Sequence, residues 1–495
     1  MATEVAPAQQ RALKAGRGFG KYGMIFACGT ALFSDGYVNS AAGSVNTILS
    51  RLYPEQYGKN HYSTLFSGMA YLGTVIGQLS FGFFVDRYGR KYGMLAASMI
   101  MIVGSALCAG AYGAGGSIDG MFAALIVYRL ITGIGIGAEY PSGSVACSES
   151  TENVGVPARW QHGLFVLATN SMIDIGFVVA AFVPLVLLWI FSEDHLRAVW
   201  RLTFGLGIVP ALLVLLWRLK MPREPERYRK AAIRKNLPYG LILRRYWKSM
   251  LGVSLCWFLY DFITYPFGLF STRIVDIITG GSDKLSTVFV WGVVINAFYL
   301  PGCFAGSLLV DWIGPKKQLI IFLCLQGVTG FIMSGLYERL TEHVAAFAVV
   351  YGIFLSFGEA GPGDCLGLLA SKTWPTAARG QMYGLAAAIG KIGACDLSLT
   401  ICLQFPEGPK QTSGPFWVGS GLAFVSALIA LVLIPEAKMD GMTLEDGRFR
   451  EYLIANGYDI SQMGTHSEIT SGDDSGYEVD HRIVDDDKKG LSRSE

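Results

Sequence analysis

GFFVDRYGRK, residues 82–91, returns in weaker form as GSLLVDWIGPKK, residues 306–317. Each copy ends a long apolar stretch with a glycine, an acid and a knot of basic residues, and each follows the second such stretch of its half of the chain. A second pair keeps step with the first: MPREPERY from Met221 and IPEAKMDGMTLE from Ile434 follow the sixth and twelfth stretches. The copies lie about 224 and 213 residues apart, which points to a duplicated unit of six spans.

Composition agrees with that reading. Of 495 residues, 52% are apolar, 16% are charged and 61 are glycine, and mean hydropathy is +0.40. A soluble chain carries about a quarter charged residues. The net charge of +2 excludes a nucleic-acid binder that depends on overall basicity. Windows of about 20 apolar residues, the length that crosses a bilayer, fall at 23–49, 62–85, 92–113, 121–147, 162–190, 200–218, 249–273, 286–310, 318–337, 343–370, 381–404 and 415–435. The expected fold is therefore an all-α membrane protein of twelve transmembrane helices in two pseudo-symmetric six-helix halves, 23–218 and 249–435. A segment 1–22 precedes them, a basic linker 219–248 joins them, and an acidic tail 436–495, mostly disordered, follows.

Basic residues collect in the short loops after spans 2 and 8, and eleven Lys or Arg crowd 218–248. By the positive-inside rule these loops and both termini are cytosolic. The tail holds fifteen acids against seven bases, a composition that resists burial. The N-terminus, polar up to Tyr22, has no signal-peptide pattern. All nine cysteines sit in apolar stretches and read as small core residues. No Cys/His set has metal-ligand spacing, no nucleophile–base pair suggests an enzyme, and nothing calls for a cofactor.

An ionisable group at bilayer depth costs about 2.5–3.5 kcal/mol on insertion scales, which makes each one a functional candidate. Asp35, Glu139, Asp174, Asp261, Glu359, Asp364, Lys391 and Asp396 lie within spans. Trp257, Asp261 and Tyr265, spaced by four, share one helical face and should line a central cavity, where aromatics grip cargo and Asp261 accepts hydroxyl hydrogen bonds. Glu139-Tyr140-Pro141 sets an acid beside a phenol and a helix breaker. Lys391 needs an anion: Glu359, Asp364, Asp396 in a permanent bridge, or a substrate phosphate. Asn170 either donates to substrate or glues helices. Asp174 is expected in a structural pairing with a polar neighbour. Arg129 is assigned to gating or a proton path, and Arg273 to the mouth of span 7. In the repeated loops Asp86, Arg87, Arg90, Lys91 and Asp311 either set topology or latch the helix ends. The glycines of GIGIG permit close helix packing and form no nucleotide site.

The loop GFFVDRYGRK, the YRLITGIGIG stretch with Arg129, P-x-x-P-E-R-Y and the terminal P-E-x-K-x-x-x-x-T-L-E together resemble the signature set of the major facilitator superfamily, over roughly residues 20–447. Asp35, the acid-Tyr-Pro triplet, Trp257/Asp261/Tyr265 and Gly390-Lys391 resemble its proton-coupled phosphate symporters. The chain departs from them at Glu139 and at GEAGPGD, where those symporters carry Asp and an FGPN-type stretch. GIGIGAEYPSGS, LYDFITYPFGLFS, GPGD and YGLAAAIGKIGA are most similar to the fungal glycerophosphoinositol and glycerophosphocholine permeases.

That resemblance implies a monomeric plasma-membrane symporter that imports glycerophosphodiesters, organic phosphates, together with protons. It implies proton transfer at Asp35 and Glu139 and a substrate site of Lys391, Asp261, Trp257, Tyr265, Tyr140, Asn170 and Asp364. Entry of an anion into a negative-inside cell costs about 2.3 kcal/mol per charge per 100 mV, which two or more protons reverse. An inorganic phosphate symporter, a neutral sugar porter and a nutrient receptor with little transport remain as alternatives.

Overall fold

The apolar windows fold as long helices because a backbone shielded from water must satisfy its own amides and carbonyls. The structure, a computed structural model, describes residues 22–59, 61–152, 156–221, 226–233, 236–278, 284–394 and 409–463. Asp396, the side chains of Tyr265 and Arg273, and the distal tail lie outside the described residues. Among the described residues twelve rods can be followed: α1 (Gly23–Gly29 continued by Leu32–Leu52), α2 (Tyr62–Tyr88), α3 (Arg90–Ala109), α4 (Ile118–Thr151), α5 (Ala158–Phe191), α6 (Glu193–Leu219), α7 (Tyr239–Ile278), α8 (Leu285–Ile313), α9 (Pro315–Gly335), α10 (Val344–Thr373), α11 (Arg379–Ala394) and α12 (Pro409–Leu433). Nine of these are long and apolar enough to cross a bilayer by length and composition. The other three, α1, α7 and α11, carry Asp35, Asp261 and Lys391.

Large apolar side chains point outward from the bundle, among them Leu213 on α6 and Leu428 and Val432 on α12. An apolar outer surface suits hydrocarbon and not water. Inside each half, helices approach closely. A Cβ at Gly133 or Gly137 of α4 would stand 2.1 Å from the carbonyl oxygen of Ala70 or Thr74 on α2. The glycine of each repeated loop has its own task. Gly89 (φ +121°) and Gly314 (φ +87°) take positive φ, where a side chain is strained, and turn the chain from α2 into α3 and from α8 into α9.

Two rods are interrupted at matching places. α4 widens into a π-helical turn at Tyr140–Ser144 and α10 does so at Glu359–Gly363. Pro141 and Pro362 lie in these turns and bring no amide hydrogen to the helix ladder, and such turns collect at functional sites.

The acidic segment after α12 departs from the expected disorder at its start. Gly441–Ala455 forms a helix, α13, with Met442, Phe449 and Leu453 wholly buried. Its Glu445 pairs with Arg245 at 3.2 Å and accepts from the Tyr246 hydroxyl. This stretch holds three acids against two bases, so its apolar face decides its fate. The basic linker is also shorter than expected, because α7 begins at Tyr239 rather than near 249.

Candidate functional site

A cavity lies between the two halves. Its wall takes Asn39 from α1, Tyr140 from α4 and Asn170 from α5, facing Trp257 and Asp261 from α7, Tyr299 from α8, Glu359 and Asp364 from α10 and Tyr383 from α11. The π-helical turns bring Tyr140 and Glu359 to this wall.

At one end stands a cationic group. The Lys391 ammonium, 1% exposed, lies 3.1 Å from Asp261 Oδ2 and 5.5 Å from the centre of the Tyr140 ring. Lys391 sits one layer behind the cavity wall, and Asp261 and Tyr140 stand between it and the open space. Its ion-pair partner among the described residues is Asp261 and not Glu359 or Asp364, in keeping with α7 packing more extensively on α11 than α10 does. Gly390 keeps that contact close: a Cβ there would meet the Trp257 ring at 2.7 Å and Asp261 Oδ2 at 3.2 Å. Trp257 stacks edge-on against Tyr383, with centroids 5.5 Å apart. Asp35 is buried beside this group; Asn39 donates to its Oδ1 at 2.6 Å, and Lys391 and Tyr140 are among its electrostatic neighbours.

A group of acids lies further along the wall, with Glu359 still within electrostatic reach of Lys391 and Asp261. The Asn170 amide donates to Glu359 Oε2 at 3.1 Å and to Asp364 Oδ1 at 2.9 Å, and the Tyr260 hydroxyl donates to Glu359 Oε1 at 2.9 Å. Asp174, wholly buried on the same wall, makes no ion pair among the described residues; its polar neighbour is the Cys303 thiol of α8. Tyr260, one helical turn from Trp257, escaped the spacing-by-four reading of α7.

Two residues assigned from sequence lie elsewhere. Glu139 does not reach the cavity wall. It is locked to Arg218 of α6 at 2.7 Å, and that guanidinium also donates to the carbonyls of Ala27, Cys28 and Met94. A buried ion pair with its remaining donors satisfied is a structural tie. Arg129 lies apart from the cavity wall and donates to the Val38 carbonyl of α1 at 3.4 Å. It lies 5.2 Å over the Phe66 ring and 5.9 Å from Phe204, inside the first half.

The face that carries the basic loops is fastened shut. Asp86, at the end of α2, accepts from the backbone amides of Gly380 (3.0 Å) and Gln381 (2.8 Å), the second and third residues of α11. Asp311, at the end of α8, accepts from His162 (3.0 Å) and Gly163 (2.9 Å), which hold the same positions in the helical stretch Gln161–Ala168 of α5. A carboxylate suits these places, since the first amides of a helix lack intrahelical acceptors and carry its positive end. Arg90 joins Asp86 (2.6 Å) to Glu149 (3.1 Å), and Arg379 reaches Glu149 from the other half at 3.1 Å. Lys372 pairs with Glu152 at 2.9 Å. From α13, Asp446 accepts from the amide and hydroxyl of Thr376. Arg87 is exposed against the Phe83 and Tyr88 rings, and Lys91 donates to carbonyls at the end of α6, so neither joins the latch. Glu149, Glu152, Lys372 and Arg379 were not singled out from sequence. The signal was present in two acids, SESTE, closing span 4 on the face where bases dominate.

The chain matches the model of the sugar (and other) transporter family over residues 23–231 and 240–446. It is 42% identical to glycerophosphocholine permease GIT4 of Candida albicans, over 94% of this chain and 87% of that protein. It is also 42% identical to the major glycerophosphoinositol permease GIT3 of the same organism, over 90% of this chain and 84% of that one. The fold resembles that of the proton:xylose symporter XylE of E. coli, with a TM-score of 0.70 at 15% identity, covering 86% of this chain and 98% of XylE. The chain belongs to the sugar (and other) transporter family of the major facilitator superfamily. It is a membrane transporter and not an enzyme.

Proposed function

We propose that the chain imports glycerophosphodiesters with protons across the plasma membrane, its basic loops and termini in the cytosol. The observation that carries this reading is the Lys391 ammonium held 3.1 Å from Asp261, which itself lines a cavity shared by both halves. A permanent structural bridge has no need of a cavity wall, a phenol face and an indole around it. A phosphodiester needs all of them. In this mechanism the phosphoryl oxygens replace Asp261 as the partner of Lys391, and charge-assisted hydrogen bonds fix the anion. Asp35, next to Lys391 and Tyr140, gives and takes the coupled proton. Glu139 is left out of proton transfer because its carboxylate is committed to Arg218. The two halves then rock about the midplane, and the Asp86 and Asp311 contacts break when the cavity opens to the cytosol. The named activities of the 42% identical relatives support the substrate class.

The test is uptake of labelled glycerophosphocholine, glycerophosphoinositol and phosphate in a host lacking its own porters, with and without a protonophore. Accumulation of the diesters that collapses with the protonophore, and is absent in Lys391→Ala, is the expected result. Diester uptake unchanged in Lys391→Ala removes that lysine from the site.

A further inference from the structure

The acid end of the cavity is not used by the phosphate chemistry. Asp174, Glu359 and Asp364 come from α5 and α10 and converge on one wall, where the amide of Asn170 joins Glu359 to Asp364. None of the ion pairs among the described residues includes any of the three. Both oxygens of Asp174 are buried without an N–H or O–H donor, the Cys303 thiol standing beside them, and the Oδ2 of Asp364 is buried against Gly306. Carboxyl groups so placed ask for a positive partner, since burying an unmatched charge is costly. The surrounding surface is aromatic: Tyr260, Tyr299 and Phe177 line the same wall, and the last two rings stand 5.4 Å apart. Ring faces together with carboxylates are the surroundings in which an organic ammonium ion is held, by attraction to the ring quadrupole and to the anion. A compact, strongly hydrated metal ion gains little from phenyl and phenol faces.

We propose that Asp174, Glu359 and Asp364, with the rings of Tyr260 and Tyr299, form a subsite for the ammonium end of a zwitterionic phosphodiester whose phosphate meets Lys391. The inference rests on the transport reading above and deepens it by selecting the zwitterionic ester of a cationic amino alcohol, such as glycerophosphocholine, over a polyol ester. Asn170 positions two of the carboxylates and leaves Asp174 open to the cargo. The cavity then has a cationic and an anionic end, matched to the two ends of the substrate.

The test compares glycerophosphocholine with the isostere whose head group is uncharged, the 3,3-dimethylbutyl ester, in which carbon replaces the ammonium nitrogen and only the phosphate charge remains. Both are offered to the full chain reconstituted in liposomes with a proton gradient. The expected result is a KM about tenfold lower for the choline ester, as a cation held by rings and carboxylates implies, and a ratio near one in Asp174→Asn and Glu359→Gln. Because the isostere comparison is made on the unmodified chain, it stands even if a variant folds poorly. Equal KM values for the two esters overturn the subsite. So does a variant whose uptake of both esters falls while their ratio holds, because the cluster then serves protons or structure. Failure of the unmodified chain to take up any phosphodiester overturns the transport reading instead, and the subsite with it.

Discussion

Asp86 and Asp311 hold equivalent posts: each closes the second helix of its half and accepts from the second and third amides of a helix in the other half. In both cases one of the two amides belongs to a glycine. A Cβ on Gly380 would stand 2.7 Å from Asp86 Oδ1, and one on Gly163 2.9 Å from Asp311 Oδ2. The repeated loop is thus one clamp built twice, with its receiving helix in the opposite half each time.

Asp86→Ala and Asp311→Ala should each speed hydrogen exchange at the start of the helix they hold, Gly380–Gln381 or His162–Gly163, and not at the other. Hydrogen bonds to a charged acceptor are worth about 1.5–3 kcal/mol. Asp86→Ala should cost more, since Arg90, wholly buried, loses a partner 2.6 Å away. Exchange at both helix starts that matches the unmodified chain argues against the clamp.

Lys391→Ala and Asp261→Ala should each lower thermal stability by about 3–5 kcal/mol, because either leaves a buried charge unmatched. The double variant should recover most of that stability and still fail to transport. Melting curves and uptake on the same preparations check both parts; a double variant as unstable as the sum of the singles would mean the pair is not coupled.

Asp35→Asn and Glu139→Gln should separate coupling from architecture. The first is expected to abolish accumulation driven by a pH gradient while keeping substrate exchange between preloaded vesicles. The second should reduce the yield of folded protein, since Arg218 is left with a neutral partner, and the protein that does fold should keep its gradient dependence. The reverse pattern would return the proton to Glu139.

Gly306→Ala tests the packing behind the acid end. The added carbon would fall 2.0 Å from Asp364 Oδ2 and 2.9 Å from the Ala360 backbone, and overpacking of this kind costs about 1–3 kcal/mol. Shortening the acid in the same chain, Asp364→Ala, should relieve part of the loss in a melting experiment; no relief would place the strain at Ala360.

A chain ended after residue 463 should transport normally, and one ended after residue 440 should not. Only the second loses α13, with its Asp446 contacts to Thr376 and its buried Phe449. Uptake per folded molecule, measured for both, decides whether α13 is part of the transporter body.

Much of the architecture is legible in the sequence because bilayer length and loop charge are local properties. Trp257 and Asp261 on one face, and the helix breaker after Tyr140, are local too. Partnerships are not. The choice of Asp261 over Glu359 for Lys391 depends on which helix packs beside α11. The tie of Glu139 to Arg218 spans 79 positions. The pairing of Glu149 with Arg379 spans 230. No periodicity encodes such contacts. α13 is not legible in the composition of 436–495, because Gly441–Ala455 itself holds three acids and two bases and its Met442, Phe449 and Leu453 share a face only once the helix is formed.

The π-helical turns of α4 and α10 carry one residue more than an α-turn, and one residue is worth about 100° of rotation. Everything beyond them is phased by that insertion, including Glu149 and Glu152 at the end of α4 and Lys372 at the end of α10. Removing a single residue from either turn would swivel those charges off their mates a helix-length from the cavity. Cargo that tightens or loosens a turn at Tyr140 or Glu359 therefore has a stiff crank through which to unlock the far door.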